Sequence, residues 1–408
     1  MRHKSGTRSS DRSSRKRANA SRPILTHFLG DSEVKASKHS IARDWGEPLW
    51  PARALLIRTE PVPRTTDVIV VGAGLTGVSA AFHLARAGLR VIVFEAANIG
   101  DGASGRTGGI VLEGTAIGIR AGVDNCVPTL AHLVRELEID CDLQLPGCWE
   151  IEHKSGSGCG ALPWRDDGIT IRIARTVAGG SVEPRALLFG LAEAAQRYGA
   201  KIKPQCPVRR VRIAGPAVEV DEGVVESSKI VVAVNAWTSA LLAGLPKVHS
   251  ALTYACSTEA LPDRVLRELG MAERIPFYTA DRPYLWGRIS ARGEIVFGAG
   301  LKHGAPAELE RTSIATEDSR AILQALVRRV RELNPVLNNI LIRPQWAGPI
   351  AFTDEALPLL GVYPPNPAIL VAGAYAGHGV ALSVRAGELM ARAILYNEPL
   401  PDWASLVR

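Results

Sequence analysis

Short β-branched runs that break into glycine turns, and then into helical spacing, dominate the pattern of the chain. Val68–Val71 is the first such run, Gly72–Gly77 the turn, Val78–Ala87 the helix, ended by Gly88, and Val91–Phe94 the next strand. Strand, glycine turn, helix and strand within about thirty residues is the scale of one βαβ unit. Further along, Pro184–Tyr198 places Leu187, Leu188, Leu191 and Ala195 at helical spacing before Gly199. Lys201–Lys203, Val208–Ile213, Val218–Val225 and Ile230–Val234 read as strands. Arg288–Ala299 reads as a hairpin turning at Ala291-Arg292-Gly293, Ser319–Leu333 as a helix, Ala368–Ala372 as a last buried strand and Val380–Leu395 as a last helix. No internal repeat is present.

Composition narrows the class. The chain has 408 residues, 46% apolar, enough for two domains with a real core. Its net charge of +7 equals the excess of ten Lys/Arg over three Asp/Glu within residues 1–40, so the body beyond Ile41 is neutral. The basic, Ser-rich stretch 1–44 reads as a disordered tail. A nucleic-acid or anionic-lipid arm is the alternative for it, and a solvated leader is preferred. No apolar stretch follows Arg15-Lys16-Arg17 as a secretory signal needs. Trp45–Thr66 is a Pro-rich lead-in, and ordered structure is expected to begin near Asp67.

The six cysteines form no CxxC pair, which points to unpaired thiols in a reducing, cytoplasmic setting and to no metal site. Val68–Ala85, Ile230–Leu245 and Pro367–Val384 lack formal charge, but each carries polar or small residues in its middle and breaks into a turn. They read as buried strands followed by helices, not membrane spans.

The chemistry starts at Gly72-Ala73-Gly74-Leu75-Thr76-Gly77, a G-x-G-x-x-G turn between strand and helix. Gly72 permits the tight turn, Gly74 lets backbone approach a pyrophosphate, and Gly77 lets the helix pack on the strand. The helix start, with Leu75 and Thr76, directs its free amides at the phosphates. Glu95 ends the second strand about twenty residues on, where a carboxylate takes ribose hydroxyls. The fingerprint alone leaves NAD and FAD open.

Later segments separate the two. Gly102-Ala103-Ser104-Gly105-Arg106-Thr107-Gly108-Gly109 resembles the Gly-Ala-Ser-Gly-Arg-Asn-Gly-Gly loop of the D-amino-acid oxidase-like flavoproteins, in particular the γ-glutamylputrescine oxidoreductase and glycine–sarcosine oxidase branch, with Thr107 in place of Asn. Val231–Thr238, Trp346–Asp354 with Leu357-Pro358, and Gly373–Gly379 resemble three further segments of that family in the same order. The resemblance runs from Asp67 to the C-terminus. It implies FAD as cofactor, held also by Ala103, Ser104, Arg106, Thr107, Gly108, Gly109, Val208, Asn235, Ala236, Trp237, Gly348, Gly377, His378, Gly379 and Val380. Arg106 is expected at phosphate or the flavin edge. A helix starting at Val380 would set its positive end against the reduced flavin.

The implied fold is α/β (α+β overall): a Rossmann-like FAD-binding domain built from 66–125, 181–245 and 345–408, with an inserted, mostly antiparallel-sheet substrate domain from 126–180 and 246–344. The implied reaction is oxidation of a C–N bond in an amine or amino acid by hydride transfer to flavin N5. The resulting imine hydrolyses, and oxygen or another acceptor reoxidises the flavin. Tyr284, Lys302 and His378 are the catalytic candidates, Lys302 as the lysine that sarcosine oxidase-like members use to activate oxygen. Arg282, Trp286 and Arg288 are the substrate-binding candidates, the arginines as carboxylate anchors. For Tyr284, Trp286 and both arginines, a structural role in the sheet or at the surface is an equal reading. The family's stretch corresponding to Cys126–Gly180 is longer, and Lys154–Gly160 reads here as a loop. That departure keeps open a non-catalytic flavin-binding protein, and an NAD-dependent dehydrogenase is a more distant alternative.

Overall fold

A computed structural model describes residues 44–56, 61–153, 159–281, 283–404 and 406. Residues 1–43, part of the Lys154–Gly160 stretch and Arg282 lie outside the described residues.

The first strand, β1 (Thr65–Val71), leads through the glycine turn into the helix α1 (Leu75–Arg86) and back to β2 (Val91–Phe94). β1 lies between β2 and Gly223–Val232, parallel to both. The sheet extends through Ile369–Gly373 to an antiparallel edge strand, Leu359–Val362, and on the other side from β2 to Lys201–Lys203. Its apolar runs are unbroken because both faces are covered. Val68, Val70, Val91 and Val93 pack under α1 and the helices Cys126–Glu136, Pro184–Arg197 and Gly379–Tyr396. Ile69, Val71, Ile92 and Phe94 pack on the opposite side against Val211, Val218 and Val225.

The second sheet is mostly antiparallel. Its order is Ile342–Thr353, Val248–Ala260, Glu294–His303, Trp286–Ile289, Phe277–Thr279, Cys148–Glu152, Ile169–Val177, Gly160–Asp166. Helix Glu317–Leu333 covers one face, burying Leu323, Leu326, Val330 and Leu333 at helical spacing. The other face, with Ala255, Trp286, Val296 and Trp346, looks toward the first sheet's turns.

Three readings of the pattern change. Val218–Val225 is not one strand: Ala217–Val220 and Gly223–Val232 form a hairpin turning at Asp221-Glu222, where Gly223 takes φ +136°. α1 begins at Leu75 rather than Val78, because Gly77 belongs to its first turn. Order does not wait for Asp67. Asp44 pairs with Ser313, and Trp45 and Trp50 are buried. Cys126–Gly180 supplies the helix Cys126–Glu136 and three strands of the second sheet. The strand Ile342–Thr353, which spans residue 345, belongs to that sheet.

Among the described residues no helix is long and apolar enough to cross a membrane.

Candidate active site

The turn after β1 is built by contacts that exclude side chains. Gly72 takes φ +101°, and a Cβ there would lie 2.6 Å from the Ala233 carbonyl oxygen. A Cβ on Gly77 would lie 1.9 Å from the Gly72 carbonyl oxygen, so α1 packs directly on the turn. Gly74 differs: its Cβ would meet only Ser104, with Oγ at 3.0 Å. No side chain of its own N-cap caps α1, and its first turn holds no acid. Ser104, in the distant Gly-rich loop, accepts from the Leu75 amide at 3.0 Å. The Glu95 carboxylate accepts from the amides of Ala73 (2.9 Å) and Ala97 (3.0 Å), which fixes it beside the turn.

The other glycine segments gather at the same place. Asn235, at φ +48°, accepts from the Ala374 amide at 2.9 Å, joining the Val231–Thr238 and Gly373–Gly379 segments. The Tyr375 and Thr76 hydroxyls are 2.6 Å apart, and Ser79 Oγ donates to the Val384 carbonyl at 2.7 Å. A Cβ on Gly348 would come within 3.0 Å of Arg106 Cβ. The Gly379–Tyr396 helix has His378 as N-cap, no side-chain cap and no acid in its first turn. Val208, Ala236 and Trp237 pack in the apolar layer beneath these segments. Thr107 Oγ1 lies 3.5 Å from the Gly109 amide. The turns leave room for backbone to approach a phosphate-bearing ligand, and two helix N-termini without acidic residues in their first turns favour its negative charge. An ADP-containing flavin fits this cradle.

Arg106 has other partners than those expected. It is 7% exposed, and its Nε donates to Asp101 O at 3.0 Å. Its Nη1 reaches Gly46 O (2.6 Å), Ala347 O (3.2 Å) and Trp45 O (3.3 Å). It ties the loop to the second sheet and the lead-in.

On the second sheet, the candidates separate. Trp286 is wedged between glycines: a Cβ on Gly108 or on Gly298 would lie 2.0 Å from its ring. Arg288, only 1% exposed, donates from Nε to the Gly108 carbonyl at 2.5 Å and lies 4.7 Å from the Trp50 ring centroid. Among the described residues it forms no ion pair. Burial pulls it down to about 10, with Asp142, Glu183 and Glu294 opposing. Tyr284 is 36% exposed as a residue, yet burial of its hydroxyl pushes its pKa up, with Thr253 and Trp286 opposing. Thr253 is the strand partner of Gly348. Burial lowers the His378 pKa, against a backbone contact with Ala376. The His378 ring lies 6.2 Å from that of Tyr278, whose hydroxyl donates to Glu150 at 2.9 Å.

Lys302 stands apart from the other candidates. It is the strand partner of Leu252 and, through its ammonium, the 3.0 Å partner of Asp318 on helix Glu317–Leu333. Leu252 packs with Leu323 of that same helix, on the side away from Trp286 and Trp346. The oxygen-activating role is therefore not assigned to it. Replacing Lys302 by Met should leave flavin reoxidation by oxygen unchanged and cost at most about 1 kcal/mol, as for other surface pairs. A loss of reoxidation rate of about tenfold, worth ~1.4 kcal/mol, would restore the role.

Sequence reading missed Trp45, Trp50, Tyr278 and Glu150. Two tryptophans in a short proline-rich stretch were the available signal for the lead-in. Tyr278 and Glu150 lie 128 residues apart and are brought together by strand pairing across the second sheet.

A parallel sheet with a glycine-turn βαβ unit, joined to a mostly antiparallel sheet over one set of glycine turns, defines a dinucleotide-cofactor oxidoreductase fold. The family described as FAD dependent oxidoreductase (DAO) matches residues 67–167 and 163–393, and the chain belongs to it. This is a family of amine and amino-acid oxidases and dehydrogenases. The chain is 27% identical to the γ-glutamylputrescine oxidoreductase of Escherichia coli K12 over 380 residues, covering 81% of this chain and 84% of that protein. It is 26% identical to the glycine oxidase of Bacillus licheniformis over 368 residues, covering 83% and 95%. Its fold matches the crystal structure of glycine oxidase from Geobacillus kaustophilus with a TM-score of 0.68 at 21% identity, over 85% of this chain and 99% of that one.

Proposed function

We propose that the chain binds FAD along the gathered turns and oxidises the C–N bond of a small amine or amino acid. The observation that carries this reading is the meeting of the Gly72–Gly77 turn, Glu95, Ser104 and the Gly373–Gly379 segment through direct hydrogen bonds. The α1 amides after Gly74 would hold the pyrophosphate and Glu95 the ribose hydroxyls. Gly108, Gly109 and Gly348 would let backbone run beside the cofactor, and the N-terminus of helix Gly379–Tyr396 would face its negative charge. The flavin supplies the two-electron step when bound.

The chain's residues do the rest. Tyr278, Tyr284 and His378 form the polar-aromatic wall for the substrate. His378, kept neutral by burial, can accept a hydrogen bond from the substrate's nitrogen at a ring nitrogen. Arg288, a buried cation with no ion pair among the described residues, suits a substrate carboxylate. A discontinuous FAD domain (66–125, 181–245, 345–408) and a substrate domain (126–180, 246–344) agree with most of the sheet membership. The exceptions include Ile342–Thr353, in the second sheet, the pairing of Gly179–Ser181 with Ile110–Leu112, and helix Cys126–Glu136, which packs against the Gly379–Tyr396 helix. Six unpaired cysteines support a reducing, cytoplasmic setting.

The test is purification followed by anaerobic mixing with glycine, sarcosine, proline and γ-glutamylputrescine. A yellow protein bleached by at least one of them is expected. Flavin that is bound but reduced by none favours the non-catalytic reading. A colourless protein that takes NAD instead overturns the assignment.

A further inference from the structure

A charge network at one rim of the second sheet is used by neither the cofactor nor the substrate assignments above. His153 follows the strand Cys148–Glu152 and is largely buried. Its Nδ1 lies 2.8 Å from Asp281 Oδ1 and its Nε2 2.8 Å from Asp166 Oδ2. Its backbone amide also donates to Asp281 Oδ2, at 3.0 Å. A ring with a carboxylate against each nitrogen is satisfied only as imidazolium, with hydrogens on both. Asp166, buried at the end of Gly160–Asp166, also accepts from Arg329 Nε at 2.9 Å. Arg329 comes from helix Glu317–Leu333. Its Nη1 donates to the Tyr284 carbonyl at 2.7 Å and its Nη2 to the Pro283 carbonyl at 2.8 Å. Two carboxylates, an imidazolium and a guanidinium sum to zero charge. The connection between Phe277–Thr279 and Trp286–Ile289 is thus gripped at the Asp281 side chain and at the Pro283 and Tyr284 carbonyls.

We propose that His153, Asp166 and Arg329 are positioning residues, which hold Tyr284 toward the substrate site and make that hold depend on the proton on His153. The inference rests on the amine-oxidation reading, in which Tyr284 is part of the substrate wall. Burial works against the charge on His153, but hydrogen bonds to Asp166 and Asp281 outweigh it and keep the imidazole above its ordinary value. For Asp166 and Asp281, burial is likewise outweighed. Arg329 and His153 hold the first below the usual carboxylate range, and His153 holds the second there. Among the described residues, the charged groups set against His153 are Asp166 from its strand, Asp281 from the connection and, through Asp166, Arg329 from the helix. Since the folded pKa is raised, the grip is complete below the ordinary imidazole value and is lost as pH rises through the raised one. Loss of that proton leaves a net negative charge and a neutral ring that donates to one carboxylate while its lone pair faces the other.

The experiment compares the flavin-loaded wild type with His153→Gln, Arg329→Met and Arg329→Lys. Hydrogen exchange of the peptide spanning Phe277–Ile289 is measured beside reduction of the flavin by whichever panel amine bleaches it. Below neutral pH the wild-type peptide should be protected, and His153→Gln and Arg329→Met should exchange about tenfold faster. The half-saturating amine concentration should rise several-fold in both, while the maximal reduction rate stays within about twofold. In the wild type half-saturation should climb at alkaline pH, with that inflection missing in His153→Gln and the substrate's own ionisation common to both. Arg329→Lys, with the charge but not the fork, should fall between. Unchanged exchange in every variant overturns the grip. Faster exchange with unchanged half-saturation overturns the positioning role alone. Failure of every amine to reduce bound flavin sinks the amine-oxidation reading, and the positioning role with it.

Discussion

Gly74→Val should yield a folded protein that has lost its flavin. Gly74 sits at the N-terminus of α1 with φ −76° and ψ 178°, a conformation any residue adopts. The first added atom would meet Ser104 Oγ at 3.0 Å and no backbone, so the turn can accommodate it with a small shift of one serine. The space it takes is the space through which a pyrophosphate would approach the amides of the first turn. Retention of flavin should weaken on the order of 100-fold, about 3 kcal/mol, with little change in the urea midpoint. Gly77→Ala is the contrasting control. Its Cβ would lie 1.9 Å from the Gly72 carbonyl oxygen, so the fold itself should suffer. Absorbance of the purified protein and denaturant unfolding separate the two. A Gly74→Val protein as yellow as the wild type refutes the pyrophosphate assignment.

What could be read from the sequence is what neighbouring residues decide. β2 has the bounds its β-branched run suggests, and the glycine turn, α1 and the last helix lie within a few residues of the pattern. These elements follow from alternation and helical spacing over short windows. The gathering of these segments was legible through their resemblance to a family, since Asn235 and Ala374 are 139 residues apart and Thr76 and Tyr375 are 299 apart. Side-chain direction was not legible. Whether Lys302 faces the cofactor depends on the parity of one strand, and the ladder between Val248–Ala260 and Glu294–His303 shifts register between Thr253 and Tyr254. A slip of one residue reverses the faces. The grip on Tyr284 joins His153 to Asp281 across 128 residues and Arg329 to Asp166 across 163, with no local pattern to mark either pair. The lead-in was misjudged because proline-rich composition outweighed Trp45 and Trp50, whose indoles are held by burial and by Arg106 and Arg288.

Arg106→Ala should destabilise the fold on the order of 3–4 kcal/mol, one of the largest single effects available outside the glycine turn. The guanidinium is buried, and it reaches the carbonyls of Asp101, Trp45, Gly46 and Ala347 from one planar group. Those carbonyls belong to the Gly-rich loop, the lead-in and the second sheet, so the arginine joins three segments that no strand ladder connects. Removing it takes the donor from part-buried and buried carbonyls, each costing up to about 1–3 kcal/mol and not additively, because Trp45 O keeps the Ala347 amide and the loop can relax. Arg106→Lys distinguishes this role from phosphate binding. A lysine serves a phosphate well as a point charge, but it cannot reproduce a fork aimed at several carbonyls. If Arg106 is the tie, Arg106→Lys loses at least half of the stability that Arg106→Ala loses, and both proteins release flavin because the loop carrying Ser104 and Gly108 comes free. If phosphate is its partner, Arg106→Lys unfolds in urea with the wild type and only its flavin affinity changes. The stacked Trp45 ring, 5.7 Å from the guanidinium, should become accessible to quenchers in the first case and stay protected in the second.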